Sequence, residues 1–264
     1  MGKPYLIRVS SQKGGVGKTT VAVNLATWLA TSGYRVLLFD TDFTNPSVGF
    51  HLGLEDANIG MQSVLAKRSR LQNAVVPHDA SGMHILPCEL SSKVPVPTDQ
   101  QIKNTLAEIS RSDYHFAIGD TPPGFFTEGL EGLYDEALIL TTPDLPAIAS
   151  VMRLASKYDK ISLKHSLVIN RVRHRRYEVN LREIEGSYGK SAEAVLPESD
   201  IVPRSIAEHI PAILLDPRDE FTKAANEMGH KFTYKVEGGQ EKQKRGRRES
   251  IISMFFKRLR FRRD

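Results

Sequence analysis

The sequence predicts a three-layer α/β fold, a mostly parallel sheet flanked by helices, followed by a separate C-terminal amphipathic helix. Three observations predict it. Short, continuous apolar runs alternate with segments of helical periodicity, the pattern of a parallel sheet covered on both faces. A glycine-rich turn, Gln12-Lys13-Gly14-Gly15-Val16-Gly17-Lys18-Thr19-Thr20, links the first apolar run to the first helical one. Beyond residue 234 the chain turns polar and basic before a last apolar stripe.

In chain order, Tyr5 to Val9 make the first strand, over 5–10, and the run from Val21 to Leu29 makes the first helix, over 19–32. Val36, Leu37, Leu38 and Phe39 form a strand over 36–39, a short helix follows over 60–66, and another strand over 83–86. Helical periodicity then covers 99–110, and the apolar Phe116, Ala117 and Ile118 begin a strand over 116–119. A strand over 136–141, a helix over 145–157 and a strand over 166–170 come next. Helices over 179–188, 201–208 and 218–232, with a strand over 192–196, complete the reading, and no internal repeat appears.

A chain of 264 residues with 40% hydrophobic content suits one sizeable core, so one α/β domain is expected over 1–234. A flexible basic linker over 235–249 and a helix over 250–264 follow it. The single cysteine, Cys88, excludes an internal disulfide framework and points to a reducing, cytoplasmic compartment. No secretory leader is visible, and no stretch reaches the roughly 20 apolar residues that span a bilayer. Residues 242–264 hold ten Lys/Arg against Glu249 and Asp264, a local charge of +8, so the net +5 of the chain leaves −3 for residues 1–241. The basic character lives in the tail, which implies an appended contact with an anionic surface.

The glycine-rich turn has the composition of a phosphate-binding loop. Gly14, Gly15 and Gly17 let the backbone N–H groups, with those of Val16 and Thr20, close around phosphate oxygens at a helix N-terminus. Lys18 then reaches the β- and γ-phosphates, and the Thr19 hydroxyl ligates Mg²⁺. Lys13 is a second cation with no obvious partner within its own subunit. The strand over 36–39 runs into Asp40-Thr41-Asp42, at the strand end where open α/β sheets bind ligands. A competing reading has both aspartates capping the next helix. The strand over 116–119 runs into Asp120-Thr121-Pro122-Pro123-Gly124. An apolar strand closing on aspartate suits a Mg²⁺ contact, direct or through water, followed by a stiff turn.

These motifs, in this order, resemble the MinD/ParA family of P-loop ATPases, whose deviant Walker A loop carries the extra lysine. Gln12 in place of the first glycine is common in its ParA branch. The resemblance implies a P-loop NTPase fold, ATP and Mg²⁺ as cofactors, and slow hydrolysis by an ATP-bound homodimer. It implies that Lys13 crosses the dimer interface to the partner's nucleotide, that Asp42 orients the attacking water in switch I, and that Asp40 shapes the Mg²⁺ environment. Asp120 then takes the Walker B role and the turn after it is switch II. Asn170, at a strand end, contacts the adenine edge by the same resemblance, with Pro197 and Glu198 in a later loop around the base; a plain turn residue is the other reading of Asn170. No Asn-Lys-x-Asp guanine motif is present. Iron–sulfur carriers related to the family need paired cysteine ligands, and Cys88 is alone.

Ile251, Ile252, Phe255, Phe256 and Leu259 fall on one face at helical spacing, with Ser253, Lys257 and Arg260 opposite. Such a short cationic helix suits an interfacial anchor. Phe255-Phe256-Lys257-Arg258-Leu259 also resembles the membrane-targeting helix of the MinD branch. The expected protein is cytoplasmic and peripheral on the inner face of the cell membrane, positioning a protein cargo or answering to an activator in division-site placement. A ParA-type partition ATPase binding nucleic acid non-specifically is the alternative, suggested by Gln12, the tail and Arg171, Arg173, Arg175 and Arg176. That arginine cluster itself reads as a solvated loop.

Overall fold

The glycine-rich turn leaves β1 (Tyr5–Ser10) and opens α1 (Lys18–Thr31), so the first strand and helix stand where the apolar pattern places them. The structure, a computed structural model, describes residues 3–90, 97–124 and 130–236. Of the linker expected over 235–249, the first two residues belong to the last described helix; its remainder and the helix expected over 250–264, with Ile251, Ile252, Phe255, Phe256 and Leu259, lie outside the described residues. Among the described residues no helix is long and apolar enough to cross a membrane.

After α1 come β2 (Val36–Asp40), α2 (Val48–Leu52), α3 (Met61–Leu65), α4 (Leu71–Ala74), β3 (Val76–Pro77) and β4 (His84–Leu86). The middle of the chain supplies α5 (Asp99–Ile109), β5 (Phe116–Asp120), β6 (Glu136–Thr141) and α6 (Leu145–Lys160). The remainder is β7 (Lys164–Val172), α7 (Leu181–Tyr188), β8 (Ala194–Pro197), α8 (Ile201–Ala207), α9 (Ala212–Leu215) and α10 (Glu220–Val236). All seven expected strands and the seven helices expected within residues 1–234 are present. The additions, α2, α4, β3 and α9, are of two to five residues, too short to establish a period. Strand β7 is longer than the expected 166–170, because pairing with β6 begins at Lys164, a polar residue at the sheet's end.

The strands form one sheet in the order β3-β4-β2-β5-β1-β6-β7-β8, parallel throughout except for β3 against β4. Strand β1 lies between β5 and β6, so the chain builds to one side of β1 and then to the other. That reversal is the switch point where an open sheet leaves a crevice at its carboxyl edge. Neighbouring residues on each strand enter different cores, as the two-residue side-chain period demands. Ile7, Leu38, Ile118, Leu138 and Val168 join one, beneath α1, α9 and α10. Leu6, Leu37, Ala117, Ile139 and Ile169 join the other, beneath α3, α5, α6 and α7. Helix α1 is buried nearly all round, and α10 lies against it so closely that a Cβ on Gly229 would stand 2.3 Å from the Trp28 ring.

Candidate functional site

The phosphate loop takes its shape from two glycines. Gly15 (φ +73°) and Gly17 (φ +91°) occupy the left-handed region, which a side chain disfavours. A Cβ on Gly17 would also meet Asn170 Nδ2 at 2.3 Å. Gly17 is the residue before α1, so the loop delivers Lys18 and Thr19 to the first turn, where helix N–H groups lack intrahelical acceptors. The Ser11 hydroxyl donates to the Lys13 carbonyl at 2.7 Å, and the Gly124 N–H donates to the Ser11 carbonyl at 2.8 Å. Those bonds join the start of the phosphate loop to the turn after β5.

The strand register brings the carboxylates to the loop. Asp40 and Asp120 are cross-strand partners at the ends of β2 and β5, and Val9 of β1 pairs with Asp120. Thr41 reinforces the alignment by donating its N–H (2.9 Å) and its hydroxyl (2.8 Å) to the Asp120 carbonyl. The Thr19 hydroxyl donates to Asp120 Oδ2 at 2.6 Å, while Asp120 Oδ1 is buried with no hydrogen-bond partner. Burial, and then the charge of Asp40, push the Asp120 carboxyl far above the usual carboxylate range, with the Thr19 bond and Lys18 pulling it back. Lys18 is itself buried, which lowers its pKa against the opposing charges of Asp120, Asp42 and Asp40. An orphaned carboxylate oxygen beside a hydroxyl, at the mouth of a phosphate loop, fits a hard divalent cation such as Mg²⁺, which takes one or two protein oxygens and completes its shell with phosphates and water.

Asp40 is placed differently from Asp120. Its Oδ1 accepts the Asp42 N–H (2.8 Å), and its Oδ2 accepts those of Ser47 (3.0 Å) and Val48 (3.1 Å). It therefore caps the loop that leads into α2, as the competing sequence reading had it, and supports Asp42 at second hand. Burial raises its pKa and those three N–H bonds hold it down. Asp42 is buried too, with Oδ1 accepting from the Asn45 N–H at 2.9 Å. Behind them Cys88 donates to the Asp40 carbonyl at 3.4 Å, a buried thiol whose pKa is raised by burial and by the surrounding acids.

On the other flank, at the end of β7, Asn170 donates Nδ2 to the Val16 carbonyl at 2.8 Å, and Arg171 donates Nη1 to the Gly15 carbonyl at 3.1 Å. Arg171 also grips Glu198 through Nε (2.7 Å) and Nη2 (3.1 Å), and Arg173 adds a bond to the same carboxylate at 3.1 Å. Two of the four arginines read as a solvated loop are thus tied down, because Pro197 pairs with Val172 and brings Glu198 beside them. Lys13 corrects another expectation. It has a partner in its own chain: Nζ lies 3.2 Å from both carboxylate oxygens of Asp144, the N-cap of α6. The two side chains are 48% and 40% exposed.

A family model described as an AAA domain matches residues 5–170, from the start of β1 to Asn170. The septum site-determining protein MinD of Bacillus subtilis is 27% identical over 238 residues, 86% of this chain and 88% of that one. The septum site-determining protein MinD of Pyrococcus horikoshii, solved in complex with Mg-ADP, superposes with a TM-score of 0.83 at 25% identity, over 92% of this chain and all of that one. The chain belongs to the MinD/ParA family of P-loop ATPases. The family's fold extends to a ParA family ATPase of Chlorobium tepidum, with a TM-score of 0.76 at 20% identity over 86% of this chain and 98% of that one. Within this family member the motif residues Lys18, Thr19, Asp40, Asp42 and Asp120 converge, Asn170 joins them from β7, and Glu198 stands one residue further out behind Arg171. Sequence reasoning missed Asp144 and the bonding of Arg171. An Asp before Leu-Pro is a helix-start signal, but nothing local pairs it with a lysine 131 residues earlier.

Proposed function

We propose that the chain is an ATP-dependent, dimerising MinD-like ATPase that binds the membrane reversibly through residues 250–264 and positions partner proteins, in division-site placement. One observation carries the ATPase reading: Lys18 is buried among three carboxylates at the loop, with Thr19 and the orphaned Asp120 oxygen beside it. Lys18 and the loop N–H groups take the β- and γ-phosphates, so charge that develops on the transferred group is met by groups already in place. Thr19 and Asp120 hold Mg²⁺, which neutralises phosphate charge when bound. Asp42 orients the water, supported through Asp40. Asn170 keeps its side-chain oxygen for the adenine edge, with Pro197 and Glu198 bordering the base.

Dimerisation is supported by the rim of the site. Leu145 is 70% exposed directly after Asp144, and Tyr177, 77% exposed, is two residues from Val179, whose N–H donates to the Pro143 carbonyl at 3.0 Å. A second copy seated there covers both apolar side chains and receives Lys13. The ion pair with Asp144 is exposed, worth about 0–1 kcal/mol, and so releases Lys13 readily. In the tail, five large apolar side chains give about 1.5–3 kcal/mol each when buried. Ordering the helix costs roughly 1 kcal/mol per residue. One copy is therefore marginal on a bilayer, whereas two on a dimer bind avidly.

The test is co-sedimentation of the full chain with anionic vesicles in ATP and in ADP, with Phe255→Asp as control and DNA in a parallel arm. Sedimentation with vesicles in ATP, lost in ADP and in Phe255→Asp, is the expected result. Equal retention in both nucleotides refutes the switch. A second reading, a ParA-type DNA-binding ATPase, draws on the exposed Arg175 and Arg176, and retention on DNA that survives Phe255→Asp would establish it instead.

A further inference from the structure

Asn170 and Arg171 are consecutive, yet both side chains reach the phosphate loop. In a regular strand they would point to opposite faces. Two departures make the shared aim possible: Arg171 is left-handed (φ +61°), and the β7–β8 register shifts between Ile169 and Val172. A non-glycine residue held in that region is strained, and strain persists where surrounding bonds over-determine it. Here those bonds are the bidentate grip on Glu198 and the Gly15 carbonyl.

The consequence follows from the flat trans peptide, whose C=O and N–H point in opposite directions. The Gly15 carbonyl belongs to the peptide that carries the Val16 N–H, and the Val16 carbonyl to the one that carries the Gly17 N–H. Drawing both carbonyls toward β7 turns both N–H groups the other way, into the cradle. Glycine-rich loops have many alternative peptide orientations, so something must select this one.

We propose that Arg171 is a positioning residue for the phosphate loop. It holds the Gly15 peptide in its anion-receiving orientation before the nucleotide arrives, and its bond to Glu198 links that setting to the loop on the base side. The proposal rests on the nucleotide-binding reading above. An exposed arginine pair adds little stability, so the effect belongs in phosphate affinity and not in the melting point.

The experiment is calorimetric titration of the full chain with Mg-ADP and with pyrophosphate, together with hydrogen exchange of residues 11–20 in the nucleotide-free chain. Arg171→Met is expected to weaken both ligands about tenfold, the worth of one charge-assisted hydrogen bond. It should speed exchange of the loop amides with an unchanged melting temperature. Arg171→Lys, which can still reach a carbonyl, should recover most of the loss, and Glu198→Gln should weaken both ligands by about threefold. Should Arg171→Met fail to fold, the Lys and Gln variants carry the test. Wild-type affinity and wild-type loop exchange in Arg171→Met and Glu198→Gln would overturn the proposal alone. A wild-type chain that binds neither ligand would overturn the nucleotide reading instead.

Discussion

The two flanks of the phosphate loop are built from opposite materials. Toward β2 and β5 the side chains are acidic and sealed: Asp40, Asp42 and Asp120 are all buried. Toward β7 and β8 they are an amide and two arginines paired with Glu198, and Arg171 and Arg173 remain open to solvent. The acidic flank carries an uncompensated polar atom, since Asp120 has a buried oxygen with no hydrogen-bond partner among the described residues. Among them the other flank carries none. It shapes the backbone through carbonyls and leaves the charge to the loop. Mutations on the acidic flank should therefore strike chemistry, and those on the other flank should strike the geometry of binding.

The largest break should come from Asp120→Asn, which removes the carboxylate proposed to hold Mg²⁺. Phosphate release from ATP is expected to fall by about a hundredfold or more, while ADP binding without Mg²⁺ persists; equal loss in both would place Asp120 in folding instead. Asp42→Ala should also lower turnover by about a hundredfold, but the ATP dimer should survive and accumulate in gel filtration. Undiminished phosphate release would remove Asp42 from the chemistry. Asp144→Asn should have a smaller and opposite effect. Freeing Lys13 from an exposed pair should tighten the ATP-dependent dimer by up to about fivefold in sedimentation velocity, and a weaker dimer would mean that Asp144 serves the interface itself.

A pH titration gives the finest comparison. His51 in α2, on the acidic flank, has its pKa lowered by burial from 6.5 to about 4. Between those values the unfolded chain binds a proton that the folded chain refuses, so stability is full above about pH 6.5 and declines as pH falls toward 4. Hydrogen exchange of α2 should accelerate over that window while β7 and β8 hold, and His51→Asn should flatten the difference. Uniform acceleration across the sheet would contradict it.

The legibility of the site followed the same division. Asp40, Asp42 and Asp120 sit at the ends of apolar strands, where periodicity alone marks the crevice, and the strand register then sets Asp40 beside Asp120. The roles within the trio were less legible. Both readings of Asp40 are written identically in sequence, and only the N–H groups of Ser47 and Val48 show it capping α2. On the other flank, Arg171 looked like one of four solvated arginines, because its partner Glu198 arrives from a different strand. Lys13 looked solitary for the same reason.

What the chain alone determined was the alternation of strand and helix and the chemistry of the loop at Gln12 to Thr20, because both depend on residues only a few positions apart. What only the tertiary structure decided was which side chains hold that loop. Lys13 meets Asp144 across 131 positions and Arg171 meets Gly15 across 156. Such meetings depend on strand order and register, which arise from the packing of two cores against one sheet and leave no trace in local spacing.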